Sequence, residues 1–134
     1  MTNIQSMNEN LHGKTPEEIV AWAIEKAKNP VVTTNFRPYE GAILHVVTRA
    51  VPSIKVIWCD TGYNTPDTYR HAKALIEQLN LNIQIYVPQL SVGYRDVLLG
   101  IPEVDTPDHK AFTEQVKLEP FRREIGRASC RERV

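Results

Sequence analysis

Apolar positions along this chain repeat with two alternating periods, and the alternation sets out its elements. From Thr15 to about Lys28, Ile19, Trp22, Ala23 and Ala27 recur at helical spacing and predict an amphipathic helix. Val31 to Asn35 is a short β-branched run after Asn29-Pro30 and reads as a strand. Glu40 to Val51 carries Ile43, Val46, Val47 and Ala50 at i, i+3, i+4 and i+7, a helix broken by Pro52-Ser53. Ile54 to Cys59 is almost continuously apolar, as expected for a strand covered on both faces. Thr65 to Asn80 places Ala72, Leu75, Ile76 and Leu79 on one helical stripe. Asn82 to Val87 alternates Ile83, Ile85 and Val87 before Pro88 stops it. Gln89 to Asp105 leaves open a short helix around Tyr94 to Leu99 followed by a loop. Asp108 to Arg123 starts as a helix, with Pro120 placed to kink or end it.

Three Thr-Pro-acid steps mark helix starts: Thr15-Pro16-Glu17, Thr65-Pro66-Asp67 and Thr106-Pro107-Asp108. Each offers a capping hydroxyl, a proline at the first helical position and a carboxylate in the first turn. Glu18, three residues after Thr15, completes a capping box. The order β-α-β-α-β with right-handed crossovers predicts a parallel sheet in an α/β fold. Trp22 and Trp58 are candidates for its core.

At 134 residues the chain is long enough for one modest domain. Sixteen basic residues balance sixteen acidic ones, so no global field recruits nucleic acid or a membrane surface. Its apolar runs are shorter than a membrane span, and polar Met1 to Asn10 lacks the layout of a secretory signal. The two cysteines, Cys59 and Cys130, are too few for a disulfide framework or a four-sulfur metal site. A reduced, cytoplasmic protein is expected. Cys59, inside an apolar run, reads as a small core residue rather than a nucleophile. His45 and His71 lack a second ligand at metal spacing and read as packing or surface residues, so no metal site is expected.

The end of the chain changes character. Glu124 to Val134, EIGRASCRERV, is small, arginine-rich and unpatterned. It resembles the translation of a common short-read sequencing adapter, and residues 124–134 are expected to be adapter-derived rather than native. The domain proper is then residues 1–123.

Ligands of open parallel sheets bind at the carboxyl ends of the strands. Three segments should therefore converge: Asn35 to Glu40, Asp60 to Asn64, and Pro88 to Ser91. Thr33, Thr34 and Asn35 lead into a loop that opens a helix, where hydroxyls and free backbone N–H groups suit phosphate or sulfate. Arg37 would add a bidentate contact. A hydroxyl-rich strand end is equally an ordinary structural feature. Asp60, followed by a glycine turn, either accepts from a ribose hydroxyl or caps N–H groups of its own loop. Tyr63 and Tyr69 divide between core and pocket wall.

At these residues the sequence resembles the phosphoadenylyl-sulfate (PAPS) reductase family. Val56 to Tyr63, continued by Pro66, Thr68 and Tyr69, looks like the family's hydrophobic-DTGY…P-E-T-Y signature, with Asp67 where glutamate is usual. Thr33-Thr34-Asn35-Phe36-Arg37, followed by Ile43, Leu44 and His45, resembles the S-x-S-F-G…LH phosphate loop. Arg37 stands in the place of its glycine and Asn35 in that of a serine. Lys117-Leu118-Glu119-Pro120 looks like the K-V-E-P segment. The resemblance covers roughly Val31 to Arg123, about the N-terminal half of a typical member.

That resemblance implies the three-layer α/β/α adenine-nucleotide α-hydrolase-like fold, here truncated. It implies nucleotide-binding residues at Thr33, Thr34, Asn35, Phe36, Arg37, Asp60, Thr61, Gly62 and Lys117. The implied activity is reduction of PAPS to sulfite and adenosine 3',5'-bisphosphate in sulfate assimilation, with thioredoxin or glutaredoxin as electron donor. The family nucleophile, a cysteine of an E-C-G-L-H segment, does not occur in this chain, which as given is expected to be inactive. Iron–sulfur members carry a Cys-Cys pair before K-V-E-P. Phe112 and Thr113 hold those places here, which implies no cluster and favours PAPS over adenylyl sulfate. A homodimer is the assembly considered for the parent protein. Two other classes stay open: a nucleotidyl transferase or ATP pyrophosphatase of the same fold, such as the small subunit of sulfate adenylyltransferase, and a non-catalytic nucleotide-binding module. The former usually keep an S-G-G-x-D-S loop, which Asn35-Phe36-Arg37 is not.

Overall fold

The computed structural model describes residues 3–130; Met1, Thr2 and Arg131 to Val134, the last four residues of the adapter-like tail, lie outside the described residues. Its elements run α1 (Ile4–Leu11), α2 (Pro16–Lys26), β1 (Val31–Thr33), α3 (Glu40–Ala50), β2 (Lys55–Cys59), α4 (Pro66–Gln78), β3 (Asn82–Tyr86), α5 (Val92–Leu99), α6 (Pro107–Thr113) and α7 (Glu119–Cys130). Between α6 and α7 lies a π-helical turn, Glu114–Leu118. The three strands form a parallel sheet in the order β1-β2-β3, with Val32 beside Val56 and Val56 beside Ile83.

The fold is three-layered because β2 is covered on both faces. Val56 and Trp58 point into a core with Phe36, Leu44, Ala72 and Leu81, against which Leu75, Ile76 and Leu79 of α4 pack. Lys55 and Cys59, on the opposite face by strand alternation, meet the last helical segment: Lys55 Nζ lies 3.7 Å from Glu124, and Lys117, Arg123 and Glu124 all act on Cys59. Among the described residues no helix is long and apolar enough to cross a membrane.

All three Thr-Pro starts form as expected. The Thr15, Thr65 and Thr106 side chains accept from the N–H groups of Glu18, Thr68 and His109, and Glu18 closes the capping box on the Thr15 N–H at 2.8 Å. Other expectations shift. α3 buries Leu44, Val47 and Thr48, leaving Ile43 exposed, so its inner face is turned by about one residue from the anticipated stripe. α2 packs against α3 but buries no residue completely, and Trp22 is only half-buried while Trp58 is in the core. β1 stops at Thr33, where the chain turns into the loop before α3. Pro120 does not end its helix, which continues to Cys130. It sits buried just after the π turn, whose wider winding accommodates a residue with no N–H and a ring that crowds the carbonyl four residues back.

Candidate nucleotide cleft

The loop after β1 is built on an unusual residue. Phe36 adopts φ 55, a left-handed conformation costly for a bulky L-residue. Its ring, 2% exposed, holds it there by packing edge-on against Trp58 with centroids 4.9 Å apart. Because the left-handed residue is Phe36, Arg37 needs none of the backbone freedom of the glycine it replaces.

The backbone amides of this loop are engaged internally. The Asn35 N–H donates to Glu40 Oε2 at 2.7 Å, and the Phe36 N–H donates to Thr34 Oγ1 at 2.9 Å. An anion beside the loop therefore meets side-chain donors instead of the anticipated cradle of free N–H groups at these two positions.

After β2, Asp60 organises its own turn. Its Oδ1 accepts from the Gly62 N–H at 2.9 Å, Asn64 Nδ2 at 2.9 Å and the Tyr69 hydroxyl at 2.8 Å. Burial, then the hydrogen bond to Asp60, raises the Tyr69 hydroxyl above its ordinary pKa, which keeps it a donor. Gly62 is required twice over: its φ is 82, and a Cβ there would meet Val92 Cγ2 at 2.4 Å.

Between these loops lies a cleft of about 300 Å³, lined by Asn35, Phe36, Arg37, Pro38, Trp58, Cys59, Thr61, Asn64, Thr68 and Lys117. Of the residues expected from sequence, Asn35, Phe36, Arg37, Thr61 and Lys117 come together on its wall. Thr33, Thr34, Asp60 and Gly62 stand behind it or in the turns that shape it. The described wall offers two cations, Arg37 and Lys117, and no carboxylate. Burial pushes the Cys59 thiol up, outweighing the pull of Lys117 and Arg123, so the sulfur on this wall is a neutral thiol at neutral pH.

The third expected segment goes elsewhere. Pro88, Gln89 and Leu90 line a neighbouring hollow of about 370 Å³ with Arg95, Glu114 and Glu119. Arg95 is 4% exposed and engaged by its surroundings: Nη1 donates to the Gly100 carbonyl at 2.8 Å, Nε to Gln115 Oε1 at 3.2 Å, and its guanidinium lies 4.3 Å from the centre of the Phe112 ring. Tyr63 packs edge-on against the same ring at 5.0 Å and donates its hydroxyl to Asp96. Tyr63 thus ties the Asp60 turn to α5 and α6, and Tyr69 packs beside Trp58. Asn64 and Thr68 were not singled out as site residues, although Thr68 belongs to the P-x-T-Y motif. Cys59 proves to be both buried and part of the wall. Among the described residues no three His, Cys, Asp or Glu side chains are grouped to hold a metal ion.

The sequence model of the phosphoadenosine phosphosulfate reductase domain matches residues 29–130. The chain belongs to this family. Similar curated proteins include the phosphoadenosine 5'-phosphosulfate reductase of Xylella fastidiosa strain 9a5c, 32% identical over 127 residues, a match covering 93% of this chain and 54% of that protein. The reductase of the same name from a Synechococcus strain is 30% identical over 128 residues, 93% of this chain and 55% of that protein. The chain thus spans about half the length of the curated relatives it matches. Among solved structures, the phosphate complex of the PAPS reductase of Candida auris superposes with a TM-score of 0.80 at 24% identity, over 92% of this chain and 61% of that one. That superposition shows the family fold.

Proposed function

We propose that the cleft between Asn35–Pro38, Thr61–Thr68 and Lys117 holds the adenosine 3',5'-bisphosphate part of PAPS, within a thioredoxin- or glutaredoxin-dependent reductase that releases sulfite. The observation that carries this reading is the composition of the wall: two cations and no carboxylate, at the carboxyl ends of β1 and β2. Arg37 supplies a planar fork for one phosphate, Lys117 a point charge for a second oxyanion, and Asn35, Thr61, Asn64 and Thr68 neutral donors between them. The names of the Xylella and Synechococcus relatives support PAPS as the substrate.

In the proposed reaction a thiolate attacks the sulfonyl sulfur. An S–S bond forms, the S–O bond breaks and adenosine 3',5'-bisphosphate leaves. A thiol of the donor protein then attacks the modified cysteine, leaving a disulfide and carrying two electrons to sulfite. The described chain contributes binding and orientation to this sequence, with no cofactor of its own. We also propose that residues 124–134 are adapter-derived and take no part in the reaction, Glu124 serving only to pack against Lys55; independent sequencing of the coding DNA across codon 123 decides this.

Calorimetric titration of the chain with adenosine 3',5'-bisphosphate, adenosine 5'-monophosphate and ATP tests the cleft. Preference for the bisphosphate is expected. Preference for ATP favours a nucleotidyl transferase of the same fold, and absence of binding removes the nucleotide reading.

A further inference from the structure

Glu40 opens α3, and its carboxylate reaches back across the preceding loop. Oε2 accepts from Thr34 Oγ1 at 2.7 Å and from the Asn35 N–H at 2.7 Å. Thr34 Oγ1 in turn accepts from the Phe36 N–H at 2.9 Å, and the Glu40 N–H donates to the Arg37 carbonyl at 3.0 Å. The Glu40 side chain thereby fastens three consecutive residues, Thr34 and Asn35 directly and Phe36 through Thr34, while its backbone N–H holds Arg37. Thr34 is 5% exposed, so its hydroxyl faces the interior.

Neither Glu40 nor Thr34 lines the cleft, whereas Asn35, Phe36, Arg37 and Pro38 do. The carboxylate therefore lies behind the wall and is not an internal stand-in for the bound anion. Resting on the nucleotide reading of the cleft, we infer that Glu40 is a positioning residue: its carboxylate clamps the loop from behind and so presents Asn35 and Arg37 to a phosphate oxyanion. The clamp complements the packing that holds Phe36 in its left-handed conformation. Burial of the ring fixes one side of the loop and the Glu40 bonds fix the other. Burial opposes the charge most strongly, but hydrogen bonds from Thr34 and from the Asn35 and Arg37 backbones, with the Arg37 charge, together hold the Glu40 carboxyl below the usual glutamate range.

The test has two arms on the full chain. In the first, the affinity for adenosine 3',5'-bisphosphate is measured for wild type, Glu40→Ala, Thr34→Val, their combination and Thr34→Ser. Each of the first two variants is expected to weaken binding roughly tenfold, as loss of a charge-assisted bond implies. The combination should be no weaker than Glu40→Ala alone, because both remove one device, and Thr34→Ser, which keeps the hydroxyl, should bind like wild type. In the second arm, amide hydrogen exchange is compared without ligand. The Asn35 amide should exchange at least tenfold faster in Glu40→Ala, while Ile57 and Trp58 in the sheet stay protected.

Unchanged Asn35 exchange overturns the clamp. Faster exchange with unchanged affinity overturns its role in positioning. If Glu40→Ala also exposes the sheet amides, the near-isosteric Thr34→Val decides by the same two readouts. A wild-type chain that binds no nucleotide removes the cleft reading, while the exchange comparison still decides whether Glu40 holds the loop.

Discussion

Arg37 and Lys117 reach one cleft from positions eighty residues apart in sequence, and the loops that carry them are held by different means. Replacing either by alanine is expected to weaken adenosine 3',5'-bisphosphate binding by one to two orders of magnitude, the roughly 1.5–3 kcal/mol of a charge-assisted hydrogen bond, as calorimetry can measure. Unchanged affinity for Arg37→Ala would assign that guanidinium to solvent. Gly62 gives a prediction of another kind. Gly62→Ala forces a side chain onto a left-handed backbone and into Val92, and should cost about 2 kcal/mol or more in denaturant unfolding. The places of Arg37, Thr61 and Lys117 on the cleft wall were legible because strand ends and local motifs mark them. Glu40 was not, since nothing in sequence distinguishes a first-turn carboxylate that satisfies the helix dipole from one that turns back to the preceding loop. Cys59 was half-legible: an apolar run announces burial, but it does not tell which buried residue at a strand's end also faces a cleft.

Helix starts were the most legible elements, because a hydroxyl cap followed by proline acts locally and needs no tertiary partner. Thr65→Ala should lower stability by about 1 kcal/mol through loss of the cap on Thr68, and Thr65→Ser should restore most of it. The capping box at α2 has a pH signature. The Glu18 pKa is lowered chiefly by the hydrogen bond from the Thr15 N–H, then by that from the Thr15 side chain. A depressed carboxylate stabilises above its unfolded pKa, and that contribution is lost as pH falls through the lower folded value. Glu18→Gln should therefore flatten the difference in melting temperature between neutral pH and pH below the glutamate range; an identical acid response in both proteins would show that the box adds no linked stability. Of two elements missed or left open in sequence, one carries a sparse pattern and the other an inverted one. α1 places Ile4, Met7 and Leu11 at i, i+3 and i+7, a sparse stripe in a polar segment that buries no residue completely. α5 is reversed: Arg95 is its buried residue while Val97 is 85% exposed, and Tyr94, Val97 and Leu98 face outward. Periodicity there reports a helix but misplaces its inside.

At the scale of the whole molecule, a parallel sheet of three strands has β1 and β3 each paired on one side only among the described residues. Val31, Ile85 and Val87 lie exposed along these outer strands and their ends. The fold class was legible because βαβαβ order permits few arrangements, whereas the extent of the cover over each face depends on contacts that no local pattern reports. The proposed site is similarly divided, since the cleft proposed to hold a nucleotide has, among the described residues, no thiol suited to react with it. Cys59 is buried and its thiol is raised by desolvation, so it is neither ionised at neutral pH nor open to a disulfide exchange partner. With PAPS and reduced thioredoxin, the 134-residue chain is therefore expected to release sulfite at the background rate, even under conditions where calorimetry shows bound adenosine 3',5'-bisphosphate. Fusing this chain to the C-terminal half of a related reductase should raise the rate only if that half brings a reactive cysteine. Sulfite release by the chain alone, lost in Cys59→Ser, would mean that the cleft thiol ionises on nucleotide binding and is itself the nucleophile. Loss in Cys130→Ser instead would give the tail a chemical role and overturn its reading as adapter-derived.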